Sequence, residues 1–224
     1  MKELLTHPHW GRRAFLGLGL TSCGVIGLWG IGFFSPELTS AALTNSLQAE
    51  GYEGEALKGE VGRWRTITSL VQNLGSFFGI FAFSTITARV GRRPAFALFF
   101  VLAAIATVTT FLFLKEKSQI FWMIPIMGFC QLALFGGFAI YLPELFPTRY
   151  RSTGTSFCYN AGRFVAAGGV FFLGQLREFY SVPGDSSQDG QALRYAGVTM
   201  CAIFLLGLFI VKFIPETKDQ PLPE

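Results

Sequence analysis

Charge is scarce in this sequence. Asp, Glu, Lys and Arg make up 14% of its 224 residues, where a soluble domain carries about a quarter. The basic residues punctuate apolar runs and form no extended patch, so the net charge of +4 does not point to nucleic acid. Histidine occurs only as His7 and His9, both ahead of the first apolar run. That excludes an intramembrane histidine relay, haem ligation and a Ser–His membrane protease. Cys23, Cys130, Cys158 and Cys201 each fall inside an apolar run, and no C-x-x-C is present. The pattern argues against a disulfide framework or a thiolate metal site, and the four read as small buried hydrophobes. With no nucleophile–base set visible, an enzyme is the weakest class, and no metal or cofactor is expected.

What the sequence has is apolar length. Hydrophobic residues reach 51%, with 25 Phe and 26 Gly. A helix needs roughly 20 apolar residues to cross about 30 Å of hydrocarbon. Six stretches reach that length, at about 14–34, 66–88, 94–114, 119–142, 154–175 and 195–214. The expectation is an all-α membrane protein, a single domain of six transmembrane helices. Trp10, Trp64, Trp122, Tyr150, Tyr180 and Tyr195 lie near span ends, where an interfacial belt places aromatics. Gly75 and Gly79 have the small-xxx-small spacing that lets helices approach closely.

Orientation follows from the connections. Arg12, Arg13, Arg89, Arg92, Arg93, Arg149 and Arg151 gather on one side, and Glu50, Glu53, Glu55 and Glu60 on the other. The positive-inside rule then puts both termini in the cytoplasm, as six crossings require. Pro36 is expected to bend or end the first span. Residues 35–63 are expected as an extracytoplasmic loop holding at most a short surface helix, and 180–191 as a second outside loop. Arg12–Arg13 ahead of Cys23 imitates a lipoprotein signal, but the apolar run continues well past Cys23, where a mature lipoprotein would turn polar. The expected location is a bacterial plasma membrane, with lipid around a multi-pass chain.

Three short patterns sit on the predicted cytoplasmic side. ARVGRRPA (88–95) packs Arg89, Arg92 and Arg93 around Gly91. YLPELFPTRYRSTG (141–154) sets Glu144, Pro147 and Arg151 at E-x-x-P-x-x-x-R spacing, and IPETK (214–218) follows the last span. Together they resemble the major facilitator superfamily, specifically the second six-helix half of a twelve-helix transporter. The match runs in register over essentially the whole chain, with Ala88 standing where the family often has an acid. The resemblance implies that two halves rock around a central site, while cytoplasmic ion pairs latch the inner gate. The candidates are Arg89, Arg92 and Arg93 against Glu144 and Glu216, with Arg151 as a further partner. The same arginines are also what topology alone would ask for, and the sequence leaves both readings standing.

Arg163 is the costly residue. It sits near the middle of the 154–175 span, where a central Arg costs about 2.5–3.5 kcal/mol on insertion scales. Tyr159 and Asn160 share its helical face, giving a polar stripe that should turn away from lipid. No Asp or Glu lies at the centre of any span. Arg163 therefore either meets an anionic substrate in bidentate fashion or is structural, bonded to carbonyls, to Asn160 or to an acid elsewhere. Gln131, Gln72 and Asn73 are the other polar groups inside spans, each a candidate cavity contact or interhelical bond, and Trp29 is a candidate wall.

The organic-anion branches of the superfamily are similar in carrying an arginine in this span. The implied function is secondary active transport of a small organic anion or acid by alternating access. If protons are symported, their carboxylate is expected in a half absent from this chain. Sugar porters share the E-x-x-P-x-x-x-R and P-E-T-K patterns, but the glutamines and asparagine usual in their seventh span are missing from 14–34. A half-transporter that works only with a partner, either an N-terminal six-helix half or a second copy, is the other expectation.

Overall fold

The computed structural model describes residues 2–181 and 189–223, and every regular element among them is a helix. The second outside loop, expected over 180–191, falls largely outside the described residues. After α1 (Lys2–Thr6), α2 (Pro8–Val25) starts at a histidine cap. His7 Nδ1 accepts from the backbone N–H groups of His9 and Trp10 at 3.3 and 3.4 Å. Pro8 stands in the first turn, where a missing N–H costs nothing.

Pro36 does not end the first span. Beyond Val25 the chain passes through a π segment, Ile26–Ile31, and a 3-10 turn, Gly32–Phe34, and runs on as α3 (Ser35–Ala49) with Pro36 in its first turn. A short turn leads into α4 (Gly54–Val90). Most of 35–63 is therefore a helical hairpin, α3 packed on the first turns of α4, and not a loop. The signal was Ser35, Leu38, Thr39, Leu43 and Leu47, a buried stripe at helical spacing that the polarity of the intervening residues obscured. The hydroxyls of Thr39 and Thr68 meet at 2.9 Å across the hairpin. At about 1.5 Å per residue the 37 residues of α4 exceed a 30 Å hydrocarbon layer by most of its thickness again, so α4 is longer than one crossing requires.

The remaining helices are α5 (Arg92–Phe113), α6 (Lys117–Glu144), α7 (Arg151–Tyr180), α8 (Asp189–Met200) and α9 (Ala202–Val211). Five helical stretches among the described residues are long and apolar enough to cross a membrane: Pro8–Ala49, Gly54–Val90, Arg92–Phe113, Lys117–Glu144 and Gly190–Val211. The chain is an integral, multi-pass membrane protein. α7 has 30 residues and ample length, yet it is not among the five. Its arginines, Asn160 and many Ser, Thr and Gly residues make it too polar to face lipid all round.

α4 and α6 lie against each other backbone to backbone, because a Cβ at Gly75 or Gly79 would collide with the carbonyls of Pro125 and Phe129. α5 packs on α6 and α9, and α2 packs on α7, where Thr21 Oγ1 donates to the Cys158 carbonyl at 2.8 Å. Buried Phe83, Phe96, Phe99, Phe138 and Tyr141 interlock near the start of α5, with Phe83 and Phe96 centroids 4.9 Å apart. Lipid tails are as apolar as these rings, so the contacts count as close packing and not as removal from water. Phe77, Phe78 and Phe81 on α4 and Phe164, Phe171 and Phe172 on α7 are left exposed, a surface that only lipid or another protein face would cover well.

Candidate functional site

The π and 3-10 segments that follow α2, the start of α3, α4, α6 and α7 frame a cleft of two chambers. The chamber beside α3 holds about 760 Å³ and the one toward the Arg92 end about 820 Å³. Ile80, Phe135 and Tyr159 line both and divide them, with the Phe135 and Tyr159 rings edge-on at 6.4 Å. One face of α4 supplies most of the polar lining of the first chamber. Arg65, Thr66, Ser69, Gln72, Asn73 and Ser76 recur there at helical spacing. The second chamber takes Arg151, Thr155, Ser156 and Asn160 from α7.

The predicted residues distribute unevenly over this cleft. Trp29, Gln72 and Asn73 line the α3-side chamber, Asn160 the other, and Tyr159 both. Trp29 leans on Phe33, centroids 5.7 Å apart. Gln72 is already engaged: its Nε2 donates to the Gly32 carbonyl at 3.2 Å and its Oε1 accepts from Ser35 Oγ at 2.6 Å. It thereby ties α4 to the irregular turn between α2 and α3. Asn160 Nδ2 donates back to the carbonyl and hydroxyl of Ser156 at 3.0 and 3.1 Å.

Gln131 lines neither chamber. It is 1% exposed and its Nε2 donates to Thr107 Oγ1 at 2.9 Å, bridging α6 to α5, while its buried Oε1 has no hydrogen-bond partner among the described residues. The structure makes it an interhelical bond, for the physical reason that its face of α6 is the one packed on α5. Arg163 also lines neither chamber. It is exposed on α7 with its guanidinium carbon 5.9 Å from the centre of the Tyr159 ring, and makes no hydrogen bond or ion pair with the described residues. Two charged groups in the cleft escaped the sequence reading. They are Arg65 and Glu37, the latter held by Arg177 at 3.5 Å. The α4 spacing is visible in the sequence, but the apolar stretch there begins at about 66, one residue past Arg65.

The three motifs converge at the other end of the bundle. Arg92 grips Glu144 in bidentate fashion, Nε to Oε2 at 3.0 Å and Nη2 to Oε1 at 2.8 Å. Thr217 Oγ1 adds a donor to Glu144 Oε2 at 2.6 Å. Glu216 pairs with no guanidinium. It caps α5, accepting from the backbone N–H groups of Arg92 and Arg93 at 2.8 and 3.0 Å and from those of Thr217 and Lys218, both at 3.0 Å. Burial works against its charge, but the N–H donors outweigh that and hold the carboxyl below its ordinary value. Gly91 makes room: at φ 100° it adopts a conformation other residues avoid, and a Cβ there would stand 2.8 Å from Glu216 Oε2.

Of the other predicted gate residues, Arg93 donates to the carbonyls of Val211 and Lys212 at 3.3 and 2.8 Å. Arg89 contributes its carbonyl to Lys218 Nζ at 2.7 Å. Arg151 reaches only the Phe146 carbonyl, at 3.4 Å, so it stands apart from the network.

The described residues thus form a helical bundle with one irregular span, a polar cleft on one side and charged ties at one end. Solved structures share this fold. The proton:xylose symporter XylE of the major facilitator superfamily, bound to 6-bromo-6-deoxy-D-glucose, superposes with a TM-score of 0.65 at 20% identity, covering 92% of this chain and 46% of that one. A double-tryptophan variant of XylE gives 0.67 at 19%, with the same coverage. In sequence, the chain is 31% identical over 153 residues to a probable 4-methylmuconolactone transporter of Cupriavidus pinatubonensis. It is 26% identical over 204 residues to a putative metabolite transport protein of Haemophilus influenzae. These alignments take in 68% and 91% of this chain but only 33% and 44% of the two relatives, so the chain spans less than half their length. No protein-family model matches the sequence. The chain has the fold of one half of a major facilitator superfamily protein, and the curated relatives it matches are named as transporters.

Proposed function

We propose that this half-domain, with a second six-helix half closing its cleft, carries a small organic anion across a bacterial plasma membrane by alternating access. The observation that carries the reading is the charge of the cleft. Arg65 and Arg151 line it, Arg163 stands at its rim beside Tyr159, and its one carboxylate among the described lining residues, Glu37, is bound to Arg177. Such a site favours anions. The relative named for 4-methylmuconolactone supports a small organic solute. In this reading α7 is the sixth crossing, tolerated because its polar face meets the cleft and the second half. The exposed phenylalanines of α4 and α7 seat that half or lipid, the Arg92 end is cytoplasmic, and any proton-coupling acid belongs to the second half.

The test is uptake of a radiolabelled carboxylate by cells expressing the protein that carries this chain. Saturable uptake of the carboxylate, competed by other small carboxylates, is expected. No uptake of the carboxylate would sink the reading, and uptake of xylose in its place would establish the sugar reading instead.

A further inference from the structure

The arginines of this chain fall into two groups. Those with structural work are bonded to carbonyls or carboxylates. Arg194 donates to the carbonyls of Phe111 and Leu112 at 2.7 and 3.3 Å, Arg13 to that of Leu145 at 3.2 Å, and Arg93 to those of Val211 and Lys212. Arg65 belongs to the other group. It lines the α3-side chamber and is exposed, and while its carbonyl accepts from Ser69 Oγ at 3.2 Å, its guanidinium makes no hydrogen bond or ion pair with any described residue. The acid nearest in role, Glu37, is engaged by Arg177. Arg151, the arginine of the other chamber, already uses Nε on Phe146. Arg65 thus lines a cavity of about 760 Å³ with a guanidinium that no described residue engages.

We infer that Arg65 is the residue that recognises the carboxylate of the substrate in the α3-side chamber, a place the sequence had given to Arg163. The inference rests on the organic-anion reading above and names the atoms that would serve it. A guanidinium matches a carboxylate with two parallel N–H···O bonds. Asn73 lies two turns further along the same face of α4, with an amide that no described residue engages. A carboxylate at Arg65 therefore leaves a polar group of the same ligand within reach of Asn73. The apolar body of the ligand then rests against Trp29 and Phe33 from the π and 3-10 segments. Arg163, outside both chambers, cannot make this contact without a change of the cleft.

The experiment is equilibrium binding to the protein that carries this chain, in lipid nanodiscs, with radiolabelled benzoate as the anionic probe and xylose as the neutral one. Arg65→Gln is expected to weaken benzoate binding at least tenfold, the range of a hydrogen-bonded charge contact. Arg65→Lys should recover part of it, and xylose should be unaffected. Arg12→Gln, an exposed arginine away from the cleft, should change nothing. Unchanged benzoate affinity in Arg65→Gln overturns the inference. Loss confined to Arg163→Gln overturns it while leaving anion transport standing. No binding of benzoate by the unsubstituted chain overturns the inference together with the anion reading.

Discussion

Removing Glu144 should cost far more than its place at a helix end suggests. Its carboxylate accepts from Arg92 Nε and Nη2 and from Thr217 Oγ1, and the side chains of Arg92 and Glu144 are 15% and 18% exposed. Each hydrogen bond to a charged group nets about 1.5–3 kcal/mol, but freeing the carboxylate to water returns several kcal/mol of desolvation. Fully exposed pairs are worth about 0–1 kcal/mol, whereas breaking a buried pair costs about 3–5 kcal/mol. At this exposure Glu144→Ala should cost about 2–3 kcal/mol, intermediate between those limits. The double-mutant cycle with Arg92→Ala should show a coupling of about 2 kcal/mol. The internal control is Glu55–Lys58, equally short at 2.8 Å but with side chains 89% and 75% exposed, where the coupling should stay below about 0.5 kcal/mol. Both cycles are measured by denaturant unfolding of the purified chain in detergent micelles at neutral pH. Equal couplings for the two pairs would refute the claim that burial at the Arg92 end sets the strength of this tie.

Two further outcomes follow from the same contacts. Because the folded-state carboxyl of Glu216 is held below its ordinary value of about 4.5, the unfolded chain binds more protons on acidification. Its contribution to stability is therefore present above that value and is lost as pH falls through the lower folded value. Melting temperature measured against pH should drop in that window, and Glu216→Gln should flatten that part of the profile; an identical profile in the variant would remove Glu216 as its source. Gly75→Ala puts a Cβ into the Pro125 carbonyl and should destabilise the α4–α6 pair by about 1–3 kcal/mol. The same change at Gly59, where a Cβ meets nothing, should be neutral or slightly stabilising by helix propensity, and comparable losses at both positions would contradict the packing account.

The Arg92 end was legible because its chemistry is local and its residue types are few. Arg89, Arg92, Arg93, Glu144 and Glu216 are candidates because the motifs that hold them resemble those of the major facilitator superfamily. What the spacing could not assign was the division of labour. Glu216 accepts from backbone N–H groups and not from a guanidinium because Gly91 turns the chain so that the first N–H groups of α5 point at it. Main-chain donors carry no signature in a residue pattern. The α3–α4 hairpin was missed because a buried stripe on a mostly polar helix is weaker evidence than an apolar run.

The sequence by itself determined that the chain lives in a membrane as long helices, and which ends of those helices carry the charge. Apolar length, scarce charge and motif spacing fix that much, because a backbone in hydrocarbon must satisfy its own hydrogen bonds. Only the tertiary structure decided which polar groups inside those helices are available. Gln131 and Arg65 look alike in sequence, each a polar residue in or beside an apolar stretch. Packing buries the first between α5 and α6 and leaves the second open to the cleft. The face a helix turns inward depends on neighbours far away in the chain, and no local pattern records them.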